Sequence, residues 1–121
     1  MSFSIAQMAK EARKASFSVA NLSTAQKDAA LTAMAQKLIE RTELILTENQ
    51  KDLDAGKANG LTDAMIDRLR LTPERVQDLA NALIEVTNLP DPVGTVSDLK
   101  IRPNGMRVGR MRIPLGVIAM I

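Results

Sequence analysis

Cysteine and histidine are both absent from the 121 residues. That excludes disulfides, thiolate metal sites and a cysteine nucleophile, and it removes the usual general base and every Ser/His or Cys/His arrangement. Catalysis inside this segment would rest on carboxylates or lysines. Aromatic residues are nearly missing as well: Phe3 and Phe17 stand alone, with no Trp and no Tyr, so there is little on which nucleic-acid bases could stack. No stretch approaches the ~20 apolar residues of a membrane span. The N-terminus MSFSIAQMAKEARK brings in Lys10 and Glu11 before any apolar core of signal-peptide length. These features predict a soluble, cytoplasmic protein with neither a membrane nor a nucleic-acid partner.

What is present is ordinary in amount and uneven in placement. A hydrophobic fraction of 45% and a charged fraction of 25% suit a folded globular chain. Residues 1–99 hold 11 basic and 14 acidic side chains, whereas residues 100–121 hold 5 basic and none acidic.

The first 89 residues read as helices. Ile5, Met8, Ala9, Ala12, Ser16 and Val19 share one face of an amphipathic first helix. Ser23 with Gln26 fits a capping box opening a second, striped by Leu31, Met34, Ala35, Leu38 and Ile39. Thr42 is placed to cap a third helix carrying Leu46 and Leu53 and stopping at Ala58-Asn59-Gly60. Thr62 opens a shorter one with Met65, Ile66 and Leu69 on its apolar side. Thr72-Pro73-Glu74 combines a capping hydroxyl, a proline whose missing N–H costs nothing, and an acid at the positive end of the dipole. Val76, Leu79, Ala80, Leu83 and Ile84 follow at helical spacing. Pro90-Asp91-Pro92-Val93-Gly94 then marks a change of architecture.

Beyond it, Asn104-Gly105 lies between alternating segments, the strongest short hairpin signal. A two-residue turn would set Arg102 opposite Arg107 and Ile101 opposite Val108. A bulge at Gly109-Arg110 is then expected, because it puts Met106, Val108, Met111 and Ile113 on one side and Arg107 and Arg112 on the other. After Pro114-Leu115-Gly116, the unbroken run Val117-Ile118-Ala119-Met120-Ile121 suits a strand buried on both faces of a parallel sheet. The run stops at the last residue, which reads as the front part of something longer.

Candidate sites inside the segment are few. Asp52, Asp54 and Gly56 lack the glycine and glutamate spacing of a calcium loop, so they read as a solvated helix face and no metal site is expected. Gly105, Gly109 and Gly116 are too far apart for a dinucleotide fingerprint and read as turn, bulge and strand entry. Arg102, Arg107, Arg110 and Arg112 could contact phosphates, although a solvated or subunit-facing hairpin edge accounts for them better.

The stretches NQKDLDAGKANGLTDAMIDRLRLTPERV (residues 49–76) and RPNGMRVGRMRIPLGVIAMI (residues 102–121) closely resemble the gamma-glutamyl phosphate reductase (glutamate-5-semialdehyde dehydrogenase) family of the aldehyde dehydrogenase superfamily. The resemblance implies an α/β, aldehyde dehydrogenase-like fold of which this chain is a truncated N-terminal part. Residues 1–94 would be a helical segment, residues 95–113 the β-hairpin of an oligomerisation sheet, and residues 114–121 the first buried strand of an incomplete, Rossmann-like NADPH-binding domain. It further implies an NADPH-dependent oxidoreductase of proline biosynthesis that reduces the small molecule gamma-glutamyl phosphate and forms a homo-oligomer. The family's catalytic cysteine lies beyond residue 121, so no catalytic residue is expected here. Met120 and Ile121 are the only positions expected near NADPH, because cofactors bind beyond the carboxyl ends of strands in open α/β sheets; both serve equally as sheet core. The rival reading is a self-contained helical interaction module with a basic hairpin.

Overall fold

A computed structural model describes residues 4–120. The elements in order are α1 (Ile5–Val19), α2 (Thr24–Glu40), α3 (Thr42–Ala58), α4 (Asp63–Leu69), α5 (Pro73–Thr87), β1 (Val96–Ile101) and β2 (Arg107–Met111). They fall into two units, one of residues 25–89 and the other of residues 1–24 together with 90–121. α1 lies in the same unit as the hairpin.

In the helical unit α3 is the hub, touching both α4 and α5. Its core is Ala35 of α2, Leu53 of α3, Ile66 of α4, and Val76 and Ala80 of α5. Burying side chains the size of Leu53 or Ile66 stabilises by roughly 1.5–3 kcal/mol each. The α3 terminus follows from Asn59-Gly60. Gly60 takes φ +77°, its N–H donates to the Lys57 carbonyl, and the Leu61 N–H donates to the Gly56 carbonyl, each at 3.0 Å. This six-to-one and five-to-two pattern closes the helix and turns Leu61 back onto Gly56.

One cap differs from expectation. Thr42 does not cap α3; its hydroxyl donates back to the Ile39 carbonyl at 2.9 Å and to the Leu38 carbonyl at 3.2 Å, satisfying the last acceptors of α2. The α3 N-cap is Arg41, which supplies no side-chain bond. A single residue joins the two helices, so the hydroxyl serves the helix that ends there.

Thr72 behaves as predicted: its hydroxyl accepts the Arg75 N–H at 3.2 Å, with Pro73 in the first turn. The Glu74 carboxyl is held below its ordinary value by its own backbone N–H first and the Thr72 hydroxyl second. A depressed carboxylate stabilises the fold above its unfolded pKa, and that contribution disappears as pH falls through the folded value. Thr72→Ala is expected to cost about 1 kcal/mol. The melting-temperature gap between parent and Glu74→Gln is expected to close as pH drops below the carboxylate range; a gap unchanged from neutral to acid pH would contradict this.

In the second unit Ser4 caps α1, its hydroxyl accepting the Gln7 N–H at 3.4 Å. The helix buries no residue, and Ile5, Met8, Phe17 and Val19 are all more than half exposed. The Thr24 hydroxyl donates to Asp91 at 3.0 Å, and the other carboxylate oxygen of Asp91 accepts the Val93 N–H at 3.0 Å. β1 and β2 then pair antiparallel.

Candidate functional site

The hairpin gathers the basic residues, and its register decides which of them share a face. Arg102 N–H donates to the Met106 carbonyl, and Gly105 N–H donates to the Arg102 carbonyl, both at 2.8 Å. The loop is therefore three residues, Pro103, Asn104 and Gly105, rather than the two expected. Proline at the second turn position presets φ, Asn104 keeps a negative φ, and Gly105 takes φ +82°.

Lengthening the loop shifts every pair. Ile101 faces Arg107 and Lys100 faces Val108, while farther from the turn Ser97 faces Arg110 and Val96 faces Met111. Asp98 and Leu99 together oppose Gly109, so the bulge lies on β1 and not at Gly109-Arg110. Asp98 sits at φ 55°, a conformation that aspartate tolerates better than most residues. The bulge restores the pleat phase for β1: Val96, Leu99 and Ile101 come onto one face with Met111 and Arg107. Val108, expected beside Met111, lies on the opposite face.

Gly109 is required for a reason other than bulging. A Cβ there would stand 3.1 Å from the Ser97 carbonyl oxygen, and 3.2 Å from both Leu99 Cδ1 and Val96 Cγ1. Leu99 and Val96 close over the bare backbone.

The other face carries Lys100, Arg102 and Arg110 around Val108 and borders a shallow groove of about 360 Å³. Asp98 approaches Arg110 at 3.9 Å, with both side chains mostly exposed, a geometry worth little. Of the four arginines singled out, Arg102 and Arg110 share this face and Arg107 lies on the other. Lys100 is the cation that sequence reasoning missed. Its face is set by the bulge at Asp98-Leu99, which no local spacing in the sequence records.

All strand residues are exposed, and the tail beyond them is apolar and open: Leu115 is 85% exposed and Met120 95%. The run Val117-Ile118-Ala119-Met120, expected as a buried strand, has no ladder partner, because among the described residues only β1 and β2 pair. Leu115, Gly116 and Val117 instead line a groove of about 550 Å³ with Ala9, Arg13, Ser16 and Phe17 of α1. Of the two positions expected near NADPH, Met120 stands in solvent and Ile121 lies outside the described residues. With no strand leading into a helix N-terminus at this point, the described residues form no cradle for a dinucleotide. Among the described residues no group of three or more carboxylates is placed to hold a metal ion, and no helix is long and apolar enough to cross a membrane.

No protein-family model matches the chain. The gamma-glutamyl phosphate reductase of Colwellia psychrerythraea is 48% identical over 119 residues, and that of a Geobacter species 53% identical over 117. These alignments cover 98% and 97% of this chain and 28% of each relative. The crystal structure of gamma-glutamyl phosphate reductase from Thermotoga maritima superposes with a TM-score of 0.84 at 35% identity, over 89% of this chain and 26% of that one. Its fold is of the aldehyde dehydrogenase-like α/β class read from the sequence. In sequence and in fold, the chain is thus similar along nearly its whole length to gamma-glutamyl phosphate reductase, while spanning just over a quarter of the length of the relatives it matches.

Proposed function

We propose that the chain is the N-terminal part of a cytoplasmic, homo-oligomeric, NADPH-dependent reductase that converts gamma-glutamyl phosphate to glutamate 5-semialdehyde in proline biosynthesis. Its own role is to supply the leading helices and a hairpin that joins a larger sheet, with the cofactor approaching Met120 and Ile121 and the reacting groups lying elsewhere. One observation carries the reading. The hairpin and tail expose Leu99, Ile101, Met111, Ile113, Leu115 and Ile118, each by more than half, and apolar surface of that extent marks a face made to be covered. A self-contained module that docks its partner through the basic residues of the hairpin leaves this apolar face without an explanation.

The test grafts these residues into the reductase of Pasteurella multocida, which is 47% identical over 121 residues, in place of the matched segment. The chimera is expected to keep NADPH-dependent turnover of gamma-glutamyl phosphate within about tenfold of its parent, a loss of under ~1.4 kcal/mol in transition-state stabilisation. The 121-residue chain alone is expected to show none. A folded but inactive chimera, or turnover by the chain alone, would refute the proposal.

A further inference from the structure

We propose that Asn104 is a site of spontaneous covalent modification, in which the hairpin loop converts its own Asn-Gly linkage to aspartyl and isoaspartyl forms. The chain has two Asn-Gly pairs, Asn59-Gly60 and Asn104-Gly105, and the fold treats them oppositely. In the reaction the Gly105 backbone nitrogen attacks Asn104 Cγ. A new N–Cγ bond forms, and the side-chain nitrogen departs as ammonia carrying the former amide proton. Water then opens the cyclic imide. Cleavage of the new bond yields aspartate, and cleavage of the original peptide carbonyl leaves the chain running through Cβ.

Three features favour this at Asn104. The Met106 N–H donates to Asn104 Oδ1 at 3.1 Å, so a donor is already aimed at the oxygen on which negative charge develops during attack. Arg102 and Arg107 flank the loop in sequence with no acidic residue between, which favours an anionic amide nitrogen. The Gly105 N–H is held by one bond, to the Arg102 carbonyl, within a two-stranded hairpin whose strand residues are all exposed. In the chain by itself, with no third strand beside it among the described residues, such a hairpin opens at little cost.

Asn59-Gly60 is locked by comparison. The N–H groups of Asn59, Gly60 and Leu61 donate to the carbonyls of Ala55, Lys57 and Gly56 at 2.9–3.0 Å. Freeing the Gly60 nitrogen means unwinding the end of α3 and lifting Leu61 off Gly56.

The experiment incubates the purified chain at mildly alkaline pH and follows the tryptic peptides of residues 101–107 and 58–68 by mass spectrometry, with an isoaspartyl methyltransferase to count the rearranged product. Conversion in the folded chain is expected to be at least about tenfold faster at Asn104, the ratio that ~1.4 kcal/mol of local opening produces. In concentrated urea the ratio should fall to the small remainder that the flanking arginines sustain, and Asn104→Gln should abolish the signal in peptide 101–107. Equal or faster conversion at Asn59 in the folded chain would overturn the proposal, as would a ratio that persists undiminished in urea.

Discussion

Asn49→Ala is expected to lower stability by about 2–5 kcal/mol. Asn49 is a buried polar side chain, 7% exposed, and both ends of its amide are used. Its Nδ2 donates to the Leu69 carbonyl at 2.9 Å, and its Oδ1 accepts the Leu71 N–H at 2.8 Å. Those two backbone groups flank Arg70, where α4 has ended and α5 has not begun, so no helix supplies them with partners. The amide of α3 therefore holds the α4–α5 connection and, with it, the cap at Thr72. Truncation strands one donor and one acceptor at a cost of about 1–3 kcal/mol each. Asn49→Asp keeps the acceptor for Leu71 but sets an oxygen against the Leu69 carbonyl, so it is expected to rescue little. Urea unfolding followed by circular dichroism measures both; a loss under about 0.5 kcal/mol for the alanine variant would show the clamp to be dispensable.

Gly56→Val is expected to cost about 2–4 kcal/mol by crowding the same region from the other side. A Cβ on Gly56 would lie 3.0 Å from Leu61 Cδ1, 3.1 Å from Ile66 Cδ1 and 3.5 Å from Leu69 Cδ2. Ile66 is core and has no free space to retreat into, whereas Leu61, 40% exposed, gives way only on the solvent side. Gly56→Ala sets a helix-propensity gain of about 1 kcal/mol against a single close methyl, and is expected to stay within about 1 kcal/mol of the parent. Valine adds two more carbons and loses that gain. A valine variant as stable as the parent in the same urea titration would mean that α3 and α4 separate more freely than this packing implies.

These two positions show where reading the chain stops. Thr72-Pro73-Glu74, Thr62 and Ala58-Asn59-Gly60 were legible because capping hydroxyls, an N1 proline and a C-terminal glycine act on backbone groups three or four residues away. Thr42 misled for the same local reason: its hydroxyl lies within reach of two helices, and the sequence does not rank the orphan acceptors of one against the orphan donors of the other. The hairpin was legible as a hairpin, but its register was not. Asn-Gly serves a two-residue loop and also a three-residue loop that begins with Pro103, and one residue of difference exchanges the faces of a strand. Once the longer loop formed, the bulge moved to Asp98-Leu99, and Gly109 became a seat for Leu99 and Val96.

By itself the sequence determined the five helices, most of their ends, the hairpin and the kinship to gamma-glutamyl phosphate reductase, because each rests on periodicity, on short-range hydrogen bonding or on motif identity. Only the tertiary structure decided that Asn49 clamps a connection 20 to 22 residues away, that Gly56 is a packing surface, and that Lys100, Arg102 and Arg110 share a face. Each of those depends on which distant atoms arrive at the same place, and no local spacing records that.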